Sequence, residues 1–257
     1  MARTAPPTVA GLSGGLGQIV EALLGRLPAG SLRLNTRVER VVRDGQGFEI
    51  RLADGRSLAA AAVLIAAPGH AAAPLLRDLD PAFAEEMGTI PYATCVTVNI
   101  AWRRGAVERL PRAHGFFVPR GADLALVAAG FVDVKFPERV PVDQIVVRLF
   151  LGGALRPEVA GQTDAELVEI ATRTLAPLLG TREAPAWARV FRHPQAMPQL
   201  DVGHLALAAR LRARLSAHPG LELAGGPVGA YGLPDSIAAG ESAAERLFDW
   251  TDSTVDA

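Results

Sequence analysis

The chain has 257 residues, of which 49% are apolar, and a formal charge of −1, so it can bury a core but lacks the basic excess typical of nucleic-acid-binding proteins. A single cysteine, Cys95, excludes internal disulfides and thiolate metal clusters, and the five histidines do not fall at metal-binding spacings, so we expect no metal site. No signal peptide is recognised at the N-terminus. We therefore expect a cytoplasmic protein with at most peripheral contact at the inner face of the cell membrane.

The first elements predicted along the chain are a helix and a small sheet. Apolar residues recur at helical spacing over residues 16–27, after a glycine-rich turn, and predict a helix with one buried stripe. Strand alternation in residues 32–44 and 48–55, around an Asp-Gly turn, predicts a hairpin. The apolar run 57–68 predicts a strand buried on both faces, which ends where α/β sheets present ligands.

From about residue 90 the pattern changes to that of a second, mostly antiparallel sheet. Thr163 and Glu166 have the spacing of a capping box and precede an amphipathic stretch, which predicts a helix packed on that sheet. A further strand is expected at 186–193 and a helix at 205–217. The strand-like segments of the second sheet are 93–102, 114–119, 124–134 and 144–153.

The most informative segment is LELAGGPVGAYGLPDSIAAGESAAERL, at residues 221–247. A short apolar strand leads into a glycine-rich loop, and a proline followed by Asp235 opens an amphipathic helix. Glycines let the backbone approach a flat ligand, and the helix directs the positive end of its dipole to the same place. The pattern predicts a turn that faces a cofactor. A strand followed by GxGxxG and a helix, which would hold a pyrophosphate, does not occur in the sequence.

Four phenylalanines lie in or beside the segments of the second sheet. Aromatic side chains in strands belong most often to an ordinary core, but a cluster of them on a sheet also suits the wall of a pocket for a large planar ligand. Both interpretations stay open. The four residues are Phe116, Phe117, Phe131 and Phe136.

Eight segments, taken together and in order, give the chain a resemblance to a known family. Across residues 9–247 it resembles the C-terminal part of the oxygen-dependent protoporphyrinogen and coproporphyrinogen oxidases, which belong to the monoamine-oxidase-like flavoproteins. The segments are SGGLGQIVEALLGRL, RVERV, IPYATCVTVNIAW, GFFVPRG, KFPER, FLGG, AMPQLDVGH and LAGGPVGAYGLPDSIAAGESAAERL.

The resemblance implies a fold of mixed α+β and α/β class. One domain would be an incomplete Rossmann-like FAD-binding domain that lacks its N-terminal βαβ unit. The other would be a substrate-binding domain with a mostly antiparallel sheet and packed helices. The FAD-binding domain would comprise residues 1–88 and 196–257, and the substrate-binding domain residues 89–195.

The same resemblance implies the residues of the site. The backbone of Val38 would contact the adenine half of FAD, and Phe117 and Phe136 would line the porphyrinogen pocket. No catalytic acid or base is expected, because the flavin carries the redox chemistry. The other cofactor-binding residues would be Met197 and Pro198 beside the isoalloxazine, and Gly225, Gly226, Gly232, Leu233 and Pro234 in the loop and at the start of the last helix.

The implied function is the flavin-dependent oxidation of a tetrapyrrole in haem biosynthesis, from protoporphyrinogen IX or coproporphyrinogen III to the porphyrin. We expect the chain to be a C-terminal fragment that needs its missing N-terminal FAD-binding half, for which an N-terminal FAD-binding polypeptide is the expected partner, and to be inactive as an isolated chain. Two alternatives stay open. One is a non-catalytic remnant or assembly module of the same fold, favoured by departures from the family pattern at Gly226, Tyr231 and Ser236. The other is an FAD-dependent amine or polyene oxidoreductase.

Overall fold

The computed structural model describes residues 11–119, 121–122 and 124–255, with side chains up to residue 252. The chain forms two compact units, each assembled from two segments. The first unit contains the described residues up to Arg33 together with Thr94–Pro194, and the second contains Leu34–Ala93 together with the described residues from Gln195 onward.

These boundaries lie close to the predicted domain limits at 88/89 and 195/196, but the segment that ends at Arg33 belongs to the first unit, with the residues predicted to bind substrate. The assignment of FAD to one unit and of substrate to the other stays a prediction.

The described part of the chain contains ten strands and seven α-helices. The strands are β1 (Val38–Asp44), β2 (Gly47–Leu52), β3 (Ser57–Ala60), β4 (Val63–Ile65), β5 (Tyr92–Arg103), β6 (Gly115–Phe117), β7 (Leu126–Phe131), β8 (Gln144–Gly152), β9 (Trp187–Pro198) and β10 (Leu221–Leu223). The helices are α1 (Gly17–Leu24), α2 (Gly69–Leu76), α3 (Pro81–Gly88), α4 (Val132–Lys135), α5 (Asp164–Leu179), α6 (His204–Leu215) and α7 (Leu233–Val255). None of the helices in this part has both the length and the apolar composition of a membrane-crossing segment.

The first unit is built on a five-stranded sheet in the order β6-β7-β8-β5-β9. The pairings of β6 with β7, β7 with β8 and β8 with β5 are antiparallel, which confirms the predicted antiparallel sheet. Val98, Ile100 and Leu149 are fully buried and share one core with Leu167 and Leu175 of α5. One face of the sheet therefore packs in the interior of the unit, because apolar residues occupy every second position of β5 and β8.

Helix α5 begins and ends with local signals that the sequence carries. Thr163 Oγ1 accepts a hydrogen bond from the backbone N–H of Glu166 at 3.3 Å, and the Glu166 carboxylate accepts one from the backbone N–H of Thr163 at 2.7 Å. This reciprocal arrangement is the predicted capping box, which is confirmed. After the last turn, Gly180 adopts a φ of 66°, a left-handed conformation that favours glycine and ends the helix.

The second unit combines two small sheets with helices. Strands β1, β2 and β3 form an antiparallel meander, which confirms the predicted hairpin. Strands β4 and β10 pair in parallel, with Val63 opposite Leu221 and Ile65 opposite Leu223. Because parallel strands end at the same edge, the loop after β10 begins beside the end of β4, where Ala224 N donates to Ile65 O at 3.0 Å.

The helix predicted at 16–27 is present as α1, but the prediction of a buried stripe is wrong. None of the α1 residues is buried, and the side chains of Val20 and Leu23 are 57% and 60% exposed. Helical periodicity shows that a face is apolar, but it does not show what covers that face. No described part of the chain covers this one. The exposed apolar residues in and around α1 are Leu16, Val20, Leu23, Leu24 and Leu27.

Two strand predictions were also wrong in part. The run 57–68 is not one strand buried on both faces, because it divides into β3 and β4 and the side chain of Leu64 is 38% exposed. The segment 124–134 does not stay extended to its end, because β7 stops at Phe131 and α4 begins at Val132. The residue types in 57–68 and in 124–134 are typical of strands, so the sequence pattern predicts extended backbone throughout. The backbone leaves the extended conformation where the strand has no further pairing partner in the sheet.

Candidate functional site

The glycine-rich loop after β10 has an open surface. Gly225 and Gly229 adopt φ values of 90° and 96°, which favour glycine. A Cβ atom at Gly225 would meet no other atom within 4 Å, so there is room for a ligand against the backbone at this point. The carbonyl of Gly225 accepts hydrogen bonds from the backbone N–H groups of Val228 and Ala230, both at 3.2 Å, which fix the loop as a tight turn.

Gly226 brings the loop close to the segment that carries Pro198. A Cβ atom at Gly226 would lie 3.6 Å from Tyr92 Oη and 3.9 Å from Pro198 Cγ. Tyr92 Oη in turn accepts a hydrogen bond from the backbone N–H of Gly69, the first residue of α2, at 2.8 Å. The structure therefore brings together two residues predicted to contact the flavin, Gly226 and Pro198. Both lie near Tyr92, which no sequence motif indicates as part of the site.

The start of α7 lies directly after the loop. The helix begins at Leu233, slightly before the predicted start at Asp235, and Ser236 N donates to Gly232 O at 2.8 Å. Pro234 lies in the first turn, where its missing N–H removes no helical hydrogen bond. Both Leu233 and Pro234 are exposed. The N-terminus of α7 thus presents the positive end of its dipole at an accessible surface.

Met197 and Val38, the other predicted cofactor-binding residues of this unit, differ in their surroundings. Met197 precedes Pro198 at the end of β9 and its side chain is 48% exposed. Val38 is partly buried at the start of β1 and packs against a core that includes Val228 of the loop. Met197 is therefore the chain neighbour of Pro198, which lies close to Gly226. Val38 is related to the loop through the core that supports both of them.

A tyrosine–histidine pair anchors the loop to α6. Tyr231 Oη and His204 Nε2 are hydrogen-bonded, and the rings meet edge to face with centroids 5.6 Å apart. Burial raises the pKa of Tyr231, and the neighbouring Tyr92 raises it further. His204 is only 8% exposed. The pair cannot be predicted from the sequence, where Tyr231 is only a departure from the family pattern and 27 residues separate it from His204.

In the first unit, the sheet face opposite the α5 core has a different composition. Strands β5 and β8 pair Asn99 with Arg148, and Thr97 with Phe150. These positions alternate with buried apolar residues such as Val98, so their side chains project from the other face. This second face is therefore partly polar and partly aromatic.

The same face borders a cavity of about 740 Å³, a size common for small-molecule sites. Its aromatic lining residues are Phe131, Phe136, Phe150, Trp187 and Phe191. Its cationic lining residues are Lys135, Arg139, Arg148 and Arg189, and no acidic residue is among the described residues that line it. The cavity therefore suits a ligand that is both flat and negatively charged.

The two phenylalanines predicted to contact substrate have different positions. Phe136 lines the cavity, and the Arg139 guanidinium lies 4.2 Å from the centre of its ring. Phe117 lies on strand β6, opposite Ala128 of β7, and is 85% exposed outside the cavity lining. The structure thus places Phe136, but not Phe117, in the cavity wall.

The described residues contain no group of three or more His, Cys, Asp or Glu side chains placed to hold a metal ion. Cys95 is buried within the first unit, and this burial raises the pKa of its thiol. A buried thiol with a raised pKa is a weak nucleophile at neutral pH.

Comparison with known proteins gives consistent results over nearly the whole chain. Residues 4–248 match the family model described as flavin containing amine oxidoreductase. The chain is 33% identical to coproporphyrinogen III oxidase of Propionibacterium freudenreichii subsp. freudenreichii, over 93% of this chain and 44% of that protein. It is 27% identical to the chloroplastic protoporphyrinogen oxidase of Nicotiana tabacum, over 84% of this chain and 41% of that protein. The chain spans less than half the length of both relatives.

Solved structures show the same fold. The chain is similar to the crystal structure of a protein of Exiguobacterium sp. 255-15, described as a candidate protoporphyrinogen oxidase, with a TM-score of 0.79. The similarity covers 96% of this chain and 52% of the other, at 23% sequence identity. At this level of identity the likeness concerns the fold alone.

Proposed function

Because the chain belongs to the family of flavin-containing amine oxidoreductases, we propose that it is the C-terminal part of an FAD-dependent oxidase that converts a porphyrinogen into a porphyrin. The observation that carries this proposal is the 33% identity, over 93% of the chain, to a protein named for the oxidation of coproporphyrinogen III. The substrate would be coproporphyrinogen III or protoporphyrinogen IX, since relatives named for both are similar to this chain.

The loop of the second unit fits a flavin. The open space at Gly225 would admit a flat ring against the backbone, and Gly226 and Gly232 would keep side chains out of its way. Leu233 and Pro234 would direct the N-terminus of α7 at the ring, where the helix dipole favours negative charge. Met197 and Pro198 would contact the same ring, and the backbone of Val38 would lie at the adenine half. FAD, when bound, supplies the two-electron oxidation.

The 257 residues do not contain the strand, GxGxxG and helix that usually hold a pyrophosphate. We therefore propose that an N-terminal FAD-binding polypeptide supplies this part of the site and that the isolated chain is inactive. Within the cell we place the protein in the cytoplasm, which suits its single reduced cysteine, with peripheral contact at the inner face of the membrane.

The cavity of the first unit supports the choice of a tetrapyrrole. Phe136 and Phe150 present aromatic rings to it, and the described residues of its lining carry positive charge and include no acid. A porphyrinogen is a large macrocycle with acidic side groups, so its four pyrrole rings would contact the aromatic side chains and its carboxylates the cations. Phe117 would provide a further contact from the exposed edge of the sheet, where its ring is 85% exposed. No acid or base from this chain is needed, since its residues need only bind and orient the substrate.

A second candidate is a non-catalytic assembly module of the same fold. The exposed apolar stripe of α1 favours it, because Val20 and Leu23 would be covered on contact with another protein surface. This candidate needs no turnover, whereas the oxidase requires it.

Reconstitution separates these functions. The purified chain is expected to be colourless and to contain no FAD. The chain is then mixed with FAD and the N-terminal half of the Propionibacterium freudenreichii relative. This mixture is expected to become yellow and to oxidise porphyrinogen in air, and the fluorescence of the porphyrin product measures the reaction. The N-terminal half with FAD alone is the control. A yellow, folded complex that oxidises neither porphyrinogen would contradict the oxidase and favour the assembly module. Stoichiometric FAD on the isolated chain would contradict the need for a partner.

A further inference from the structure

Arg148 occupies a defined position on the cavity face of the first unit. It lies directly opposite Asn99 across the β5 and β8 pairing, and Arg148 Nε donates a hydrogen bond to Asn99 Oδ1 at 2.8 Å. Arg148 is exposed, and the hydrogen bond of its Nε restricts the directions that its other two nitrogens can take, on a strand whose backbone is more rigid than a loop. Asn99 thus orients Arg148 in the wall of the cavity.

The positive charge of Arg148 has no acidic partner in the part of the chain that the structure describes. None of the ion pairs found there includes Arg148, and Asn99 is the sole hydrogen-bond partner found there for its side chain. Both Nη groups are therefore available to a ligand. Five donors in a planar fork make arginine well suited to carboxylates, which it binds through two parallel hydrogen bonds.

The neighbouring cations differ from Arg148 in their surroundings. Arg139 already donates to the backbone carbonyl of Leu12, lies 3.9 Å from Glu138 Oε1 and covers the ring of Phe136. Lys135 Nζ lies 5.4 Å from the centre of that same ring. Arg148 is the lining cation that combines an unneutralised charge with a side chain fixed by a polar partner.

We propose that Arg148, oriented by Asn99, binds a carboxylate that coproporphyrinogen III carries and protoporphyrinogen IX lacks, and so selects the tetracarboxylate tetrapyrrole. This inference rests on the proposed function, whose substrate it narrows. A lining that carries four cations and, among the described residues, no acid attracts a tetracarboxylate more strongly than a dicarboxylate. A vinyl group in place of the propionate offers the guanidinium no acceptor, so one charge-assisted hydrogen bond would be missing and the affinity would be lower.

Porphyrin binding to the full chain tests the proposal. The probes are coproporphyrin III, with four carboxylates, and mesoporphyrin IX, with two, and binding is followed by fluorescence anisotropy. The native chain is expected to bind coproporphyrin III more tightly. Arg148→Gln is expected to weaken coproporphyrin III binding by about tenfold or more and to change mesoporphyrin IX binding much less, because one charge-assisted contact is lost.

Three further variants complete the design. Arg148→Lys keeps the charge but not the fork, so it should restore part of the preference. Asn99→Ala should reduce the preference while leaving the charge in place. Arg173→Gln removes an equal charge from an exposed position on α5, which packs on the opposite face of the sheet, and should leave both affinities unchanged. Circular dichroism shows whether each variant is folded.

The outcomes distinguish this inference from the proposed function. Equal weakening of both porphyrins by Arg148→Gln, an unchanged preference, or no porphyrin binding by the native chain would each overturn the role of Arg148. If the reconstituted oxidase still turns over with an unchanged substrate preference in Arg148→Gln, the proposed function stands and this inference fails. If the native chain binds selectively through Arg148 but the folded, flavin-loaded complex gives no turnover, this inference stands and the oxidase fails.

Discussion

The hydroxyl of Tyr231 and Nε2 of His204 form a hydrogen bond that joins the glycine-rich loop to the first residue of α6. Because His204 is 8% exposed, a phenylalanine at position 231 would leave a buried ring nitrogen without its partner. We expect Tyr231→Phe to lower the free energy of unfolding by about 1–3 kcal/mol, measured by urea denaturation.

A double-mutant cycle controls for the ring contact between these two residues. In a His204→Leu background the hydroxyl of Tyr231 has no partner to lose, so Tyr231→Phe should then cost only a few tenths of a kcal/mol. Fully additive effects of the two substitutions would contradict the hydrogen bond as the source of the stabilisation.

The core beneath α5 offers a matched pair of leucines. Leu175 is fully buried against the sheet of the first unit, whereas Leu178, on the same helix, is 52% exposed. Leu175→Ala is expected to lower the free energy of unfolding by about 2–5 kcal/mol through lost burial and a cavity. Leu178→Ala should change it by no more than about 0.5 kcal/mol. Similar losses in thermal or urea unfolding would show that α5 does not pack as described.

Asp80 provides a pH-dependent prediction for the second unit. Its carboxylate caps α3 by accepting from Phe83 N at 2.9 Å, and it lies 3.1 Å from His218 Nε2. Burial alone would raise the pKa of Asp80, but these hydrogen bonds and the charge of Arg214 together lower it. Asp80→Ala is expected to cost about 0.5–2 kcal/mol of unfolding free energy at neutral pH.

The sign of the pH dependence follows from the lowered pKa. The pKa of Asp80 in the folded state lies below the pKa of an unfolded Asp, which is about 3.9. At pH values above about 3.9 the carboxylate therefore stabilises the fold fully, and this contribution is lost as the pH falls through the folded-state pKa. The stability difference between the native chain and Asp80→Ala should therefore narrow in acid, as read from urea curves between neutral pH and about pH 3. Asp78→Ala, which removes an exposed ion pair with Arg40, is the control and should cost less than about 1 kcal/mol.

The exposed face of α1 predicts a variant that affects association without affecting folding. Val20→Ser and Leu23→Ser replace side chains that are 57% and 60% exposed, so the free energy of unfolding of the isolated chain should change by less than about 0.5 kcal/mol. If this stripe contacts the proposed N-terminal polypeptide, the double variant should bind it more weakly in isothermal titration calorimetry. Unchanged affinity would exclude α1 from that contact.

Local signals in the sequence predicted the elements well where they act within a few residues. The capping box of Thr163 and Glu166 sets the start of α5, and the Asp-Gly turn sets the hairpin of β1 and β2. Burial depends on distant residues, so the periodicity of α1 correctly predicted a helix but not its exposure. The run 57–68 failed for a similar reason, because β4 is defined by its pairing with β10, far along the chain.

In the candidate site, too, local features could be predicted from the sequence and contacts between distant residues could not. The glycine-rich loop and the start of α7 could be predicted because their residue types are contiguous, whereas Arg148 and Asn99 are joined only by the register of β8 against β5. A signal was present, since each is a polar residue between two apolar neighbours in its strand. Alternation places both off the buried face, but it does not reveal that they face each other.

Strand β4 meets its parallel partner only when Leu221–Leu223 has been made, long after β4 itself. The sheet of the first unit needs residues only up to Pro198, where β9 ends, so a growing chain can complete it earlier. Until then Val63 and Ile65 would stand without the strand that buries them. During synthesis the second unit is therefore the part that stays incompletely folded and accessible to chaperones and proteases. A chain that is truncated before position 221 should be rapidly degraded.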